Sequence, residues 1–324
     1  MSALVLAGVL VIVIVVTGFW FLSAPTLARP ALAGTATPQT LLVDGRERSY
    51  TVFVPTALPE GAPLMLVLHG SQQTAAAVRA VTGYAFEQLA VRHGFVVAYP
   101  DGYSKGWNDG RRGSRTPARR AEIDDVALID ALVARLRSQY RLGPDAFLVG
   151  YSNGGQMVLR LLAEGREPLA GVAVIAANLP DVENRGYAPI SRRVPALLIA
   201  GTADRTSPFL GGEVTLFGVS PRGRVISADA TAAALAALHG ATRDPDARTL
   251  PHRRDSGRTS VRELAYRVEG KPVVVQYVVE NGGHVIPAAT HRFPRIFGAT
   301  THDLDAPTAI WDFFRAQVGT PDER

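Results

Sequence analysis

Five short apolar runs constrain the fold of this chain more than any other feature: PLMLVLHG (63–70), FVVAYP (95–100), AFLVG (146–150), GVAVIAAN (171–178) and VPALLIAG (194–201). Continuous apolar runs of this length, four of the five closed by Gly or Pro, have the pattern of strands buried on both faces, as in a parallel sheet. Helical patterns alternate with them. In AEIDDVALIDALVARLRSQY (121–140) the apolar positions Ile123, Val126, Ile129, Leu132, Val133 and Leu136 recur at helical spacing. GGQMVLRLLAE (154–164), SADATAAALAALHG (227–240, with Gly240 as a stop) and APTAIWDFFRAQV (306–318) predict three more helices. RSYTVFVP (48–55), SVRELAYRV (260–268) and KPVVVQYVVE (271–280) predict further strands. Alternation of this kind predicts an α/β fold, a mostly parallel sheet with helices on both faces. Chemistry in such folds lies at the carboxyl ends of the strands.

The chain is long enough, at 324 residues and 47 % hydrophobic, to bury a large core. Residues 39–319 are expected to form one catalytic domain. Residues 23–38, SAPTLARPALAGTATP, are small and proline-bearing and predict a linker. Ahead of them, Ala3 to Leu22 is almost wholly apolar, long enough to span a bilayer. Residues 1–22 are therefore expected to be either a membrane anchor or a signal segment cleaved near Ala31-Leu32-Ala33. Both place the rest of the chain outside the cytoplasm. The formal charge of +5 is spread along the sequence with no nucleic-acid-binding motif. The absence of cysteine excludes thiol nucleophiles and thiolate metal sites. No residue cluster has metal-ligand spacing and no phosphate or dinucleotide fingerprint occurs, so no cofactor is expected.

The third apolar run leads into Gly150-Tyr151-Ser152-Asn153-Gly154, between a predicted strand and a predicted helix. This is the pattern of a nucleophile elbow. The turn is so sharp that side chains two residues either side of the serine would collide, and glycine stands at both positions. A serine needs a base. His284, in ENGGHVIP, follows the strongest late strand and lies in a glycine-rich loop able to hold an imidazole over the sheet. His69, His93, His239, His252, His291 and His302 have weaker placements. An acid between serine and histidine should orient the imidazole. Asp204, just past the strand ending at 200, fits that role better than Asp181 or Glu183, and Asp229 is expected to cap a helix. The amides of Asn153 and of Ser71, with Gln72 as the neighbouring option, are expected to bind an oxyanion. Asp124 and Asp125 are expected to cap the helix that follows them.

The blocks VLHGSQQT, GFVVAYPDG, GWNDG, EIDDVALIDALV, GYSNGGQM, GTADRTSPFLGGEV, NGGHVIPA and LDAPTAIWDFF occur in that order across nearly all of 41–318. Together they resemble the polyhydroxybutyrate depolymerase and feruloyl esterase group of α/β-hydrolase serine esterases. The resemblance implies a secreted carboxylic ester hydrolase with Ser152, Asp204 and His284 as its catalytic residues. It adds Trp107 as a candidate pocket wall, with a packed loop anchor as the alternative, and Tyr151 and Gln72 beside the substrate. Relatives usually carry cysteine at Ser71 and near Ala241, tryptophan at Ile286 and valine at Ser207, changes that bear on substrate identity. An inactive binding protein and a serine peptidase share the same scaffold. Lastly, SKGWNDGRRGSRTPARR (104–120) sets Lys105, Arg111, Arg112, Arg115, Arg119 and Arg120 against Asp109 alone. It is either a solvated loop or a basic rim that attracts substrates bearing a carboxylate.

Overall fold

The computed structural model describes residues 18, 21–24, 27–216 and 218–318. In chain order the strands are β1 (Gly34–Val43), β2 (Arg46–Pro55), β3 (Leu64–Leu68), β4 (Val96–Pro100), β5 (Ala146–Tyr151), β6 (Gly171–Ile175), β7 (Ala196–Gly201), β8 (Gly212–Leu216), β9 (Val219–Val225), β10 (Thr242–Arg243), β11 (Arg248–Thr249), β12 (Ser260–Val268) and β13 (Lys271–Glu280). The helices are α1 (Ala75–Val81), α2 (Ala85–His93), α3 (Pro117–Arg120), α4 (Asp125–Tyr140), α5 (Asn153–Glu164), α6 (Ala228–His239) and α7 (Ala306–Arg315). The main sheet runs β1-β2-β4-β3-β5-β6-β7-β13-β12-β10, with β11 also on β12. Pairing is parallel from β4 through β3, β5, β6 and β7 to β13. It is antiparallel at both flanks.

The apolar runs explain why these strands occupy the middle. Every residue of β3, β4, β5, β6 and β7 is buried, because both faces of the sheet are covered. Successive side chains divide between two cores. Met65, Val67, Phe147 and Val149 join Val78 of α1, Leu89 of α2 and Trp311 and Phe314 of α7. Leu64, Leu66, Leu68 and Leu148 join Leu132 of α4, Leu159 of α5 and Leu235 of α6. Aromatic stacking reinforces the first core: Phe147 lies 4.4 Å from Phe314, and Phe95 lies 4.2 Å from Trp311, centroid to centroid.

Local details depart from the sequence reading at three places. Strand β1 begins at Gly34, inside the stretch read as a linker, because its backbone pairs with β2 from Gly34–Pro55 onward. Ser227, not Asp229, caps α6, its hydroxyl accepting from Ala230 N. Asp229 instead accepts from Gln276 Nε2. Asp124 does cap α4, but Asp125 is fully buried and pairs with Arg48 at 2.7 Å. The apolar run Ala3–Leu22 falls almost wholly outside the described residues. Among the described residues no helix is long and apolar enough to cross a membrane.

Candidate active site

Strand β5 ends at Tyr151 and α5 starts at Asn153, so Ser152 alone makes the turn. Its backbone is left-handed, with φ 54° and ψ −116°, a strained conformation for a residue with a side chain. The flanking glycines have direct steric causes. A Cβ at Gly150 would strike the Gly154 carbonyl, and one at Gly154 would strike the Leu68 and His69 carbonyls. Ser152 Oγ lies 2.8 Å from His284 Nε2, and His284 Nδ1 lies 2.7 Å from Asp204 Oδ2. The structure thus brings together all three residues singled out in the sequence.

Each is held by its own loop. Asp204 Oδ1 accepts from the Thr206 and Ser207 amides at 2.7 and 2.9 Å, which points Oδ2 at the imidazole. His284 sits on a loop that packs against its neighbours at backbone distance. A Cβ at Gly283 would strike the Phe297 carbonyl, and one at Gly201 would strike the Gly282 carbonyl. The His284 amide donates to Phe297 O at 2.6 Å, and its carbonyl accepts from Tyr151 Oη at 2.8 Å. Tyr151 is buried, and that burial pushes its phenol pKa well above the usual value, so it stays a donor. It lines the cavity as expected, yet its hydroxyl is spent on positioning His284.

Of the two options for the early-strand amide, Gln72 is committed elsewhere: its N–H donates to Lys105 O at 2.8 Å. Ser71 lines the cavity beside Ser152 and Asn153, and its N–H has no acceptor among the described residues. The Ser71 loop is braced from below by His69. Its Nδ1 lies 2.7 Å from Gly70 O, and its Nε2 accepts from the Gly102 amide at 2.9 Å. Both contacts are satisfied together only by the neutral tautomer with the proton on Nδ1. Burial lowers the His69 pKa, consistent with that neutral form.

Trp107 corrects the expectation of a pocket wall. It is wholly buried, packs 4.9 Å from His69, and its indole N–H donates to His69 O at 2.8 Å. It is a loop anchor. The basic segment is solvated only in part: Gly106 through Arg111 are buried, and the Trp107 amide donates to Asn153 Oδ1 at 2.8 Å. Lys105, Arg112, Arg115 and Arg120 are exposed, whereas Arg111 is buried and turned inward.

The cavity over Ser152 measures about 140 Å3. Its wall includes Arg111, Ser207, Gln156 and Arg222, the last two not singled out in the sequence. Arg222 comes from the β8–β9 hairpin, whose exposed and polar residues carry no periodic signal. Gln156 is one helical turn beyond Ser152, a spacing that could have flagged it. A second cavity, bounded by His284 but not Ser152, shares Thr206 and Phe297 with the first and reaches Arg205 and Arg295. Among the described residues no three His, Cys, Asp or Glu side chains group as metal ligands.

A mostly parallel sheet with helices on both faces, and a serine on the turn after its central strand, define an α/β-hydrolase. The acetyl xylan esterase from Aspergillus awamori has the same fold, with a TM-score of 0.51 at 14 % identity over 78 % of this chain and 95 % of that one. No family model matches the sequence. The putative esterase NocK of Nocardia uniformis subsp. tsuyamanensis is 33 % identical over 301 residues, 89 % of this chain and 85 % of that protein. This chain belongs to that esterase family and is a carboxylic ester hydrolase. Poly(3-hydroxyalkanoate) depolymerase C of Paucimonas lemoignei is 30 % identical over 131 residues, 39 % of this chain and 30 % of that protein.

Proposed function

We propose that this esterase works by acyl transfer through Ser152, with His284 as base and Asp204 as the group that orients it. Ser152 Oγ attacks the ester carbonyl carbon while His284 Nε2 takes its proton. The tetrahedral oxyanion is held by the Asn153 and Ser71 amides, at the N-terminus of α5, where the helix dipole favours negative charge. Collapse breaks the bond to the leaving oxygen, which receives the proton from His284. Water then attacks the acyl-enzyme by the same route, and the carboxylic acid departs. The observation that carries this reading is the continuous hydrogen-bonded chain Ser152–His284–Asp204 on a strained elbow.

The apolar run 3–22 supports a site of action outside the cytoplasm, either anchored or secreted. Polyhydroxybutyrate-type oligomers and feruloyl or acetyl polysaccharide esters are the ester types that the sequence resemblance brings to this reading. Hydrolysis rates across p-nitrophenyl esters, feruloyl esters and hydroxybutyrate oligomers test it, with matched amides as the control. Ser152→Ala is expected to remove ester hydrolysis by about 10^4-fold or more without unfolding the protein. Full turnover by the folded variant would overturn the assignment.

A further inference from the structure

The wall beside Ser152 holds more cationic hydrogen-bonding capacity than the protein uses. Arg111 is 2 % exposed. Its Nη2 donates to Asp109 Oδ2 at 2.7 Å, whereas its Nε and Nη1 meet no acceptor among the described residues. Arg222 donates from Nη1 to Ser71 Oγ at 2.9 Å, and its Nε likewise meets no acceptor. Burial, and then repulsion by Arg111, lower the Arg222 pKa, which places the two guanidinium groups within each other's field. Asp109 offsets one of these charges. Its Oδ2 is also taken by Asn153 Nδ2 at 2.7 Å. Among the described residues no carboxylate lines the cavity itself. Folding a second cation into a partly dry wall with unpaired donors is costly unless an anion completes it.

We infer that Arg111 and Arg222 form a carboxylate-binding subsite for the acyl part of the substrate, so that the preferred esters are half-esters of dicarboxylic acids. The inference rests on Ser152 being the nucleophile. The acyl group stays bonded to Ser152 and so occupies the cavity that Ser152 lines. His284, which protonates the leaving alcohol, bounds both cavities; with the acyl group filling the one that Ser152 lines, the second, which Ser152 does not line, is left to the alcohol. A planar guanidinium fork offers a carboxylate two donors at once. The basic residues exposed on the 104–120 segment lie outside this wall. They have no part in the recognition.

The test compares kcat/KM for the mono-p-nitrophenyl ester of adipic acid with that for p-nitrophenyl hexanoate, which has a methyl in place of the carboxylate. A third substrate, the hexanoate ester of 4-hydroxybenzoate, carries its carboxylate on the alcohol instead. The wild type is expected to favour the adipate ester by about tenfold or more, the effect of a charge-assisted hydrogen bond. Arg222→Gln is chosen over an Arg111 variant because Arg222 has no buried carboxylate partner to orphan. It should reduce the adipate/hexanoate ratio about tenfold, and Arg222→Lys should fall between. An unchanged ratio in Arg222→Gln, a wild-type preference for hexanoate, or a charge effect only with the benzoate ester would each overturn the subsite. Adipate binding to folded Ser152→Ala protein, followed by calorimetry, reads the same subsite without turnover. Heat that is lost when Arg222→Gln is added supports it, and equal heat overturns it. Failure of Ser152→Ala to abolish hydrolysis would overturn the nucleophile and leave the subsite to that binding result.

Discussion

At Asp204 the two carboxylate oxygens have different tasks, and this fixes what a substitution does. Oδ1 accepts two backbone N–H groups, from Thr206 and Ser207, so an asparagine at this position keeps its carbonyl oxygen there. Its NH2 group then faces His284 Nδ1. The imidazole must present a lone pair at Nδ1 and its proton at Nε2, toward Ser152. That tautomer cannot accept the serine proton. Asp204→Asn is therefore expected to lower kcat by about 10^4-fold with little change in thermal midpoint. Steady-state kinetics and a melting curve on the same preparation check it, and a loss below tenfold would argue that Asp204 does not set the tautomer.

Among the elements, the loop after β3 depends on one buried ring. Neutral His69 joins Gly70 to Gly102, and Trp107 covers it. Asp101 and the Gly70 carbonyl favour protonation, but burial outweighs them and lowers the pKa. The sign follows: the unfolded chain takes up the proton first, near the ordinary value of about 6.5. The stability that His69 contributes is complete above that pH and is lost as pH falls from there toward the folded-state value. Urea midpoints should therefore drop between pH 7 and pH 5 more in the wild type than in His69→Gln, whose side-chain oxygen can still accept from Gly102. An equal drop in both would place the acid sensitivity elsewhere. The sequence showed this loop as a strand end but not its bracing. The central strands were legible because burial on both faces leaves a uniform apolar run, and the elbow because two glycines answer to backbone collisions. The β8–β9 hairpin was not legible. Its residues are half exposed and polar, so Arg222 gave no sign of meeting Ser71, a residue 151 positions earlier. Trp107 stayed open between pocket wall and packed anchor for a related reason: pattern marks it as apolar but does not say whether it faces a cavity or a neighbouring ring.

Across the whole molecule, the flank of the sheet and the site share one buried ion pair. Arg48 of β2 meets Asp125 of α4 at 2.7 Å, with side chains 5 % and 0 % exposed. The other oxygen of Asp125 accepts from the Asn108 amide at 2.7 Å, next to Asp109 and Arg111. Burial raises the Asp125 pKa even though Arg48 opposes it. Removing the arginine leaves an uncompensated buried charge, so Arg48→Met should cost about 3–5 kcal/mol at pH 7. A carboxyl whose folded-state pKa is raised loses stability as pH rises through the interval above its unfolded value of about 3.9. The deficit of Arg48→Met relative to wild type should therefore be smaller at pH 4.5 than at pH 7. A deficit independent of pH would mean that the arginine acts through packing alone.

Acyl transfer depends above all on Ser152 Oγ being the atom that bonds to substrate. Reaction of the native protein with a fluorophosphonate, followed by mass spectrometry of the peptides, tests this directly. The expected result is a single adduct on Ser152, absent in Ser152→Ala and formed far more slowly in His284→Ala. Continued ester hydrolysis with no adduct, or an adduct on another residue that abolishes activity, would contradict it.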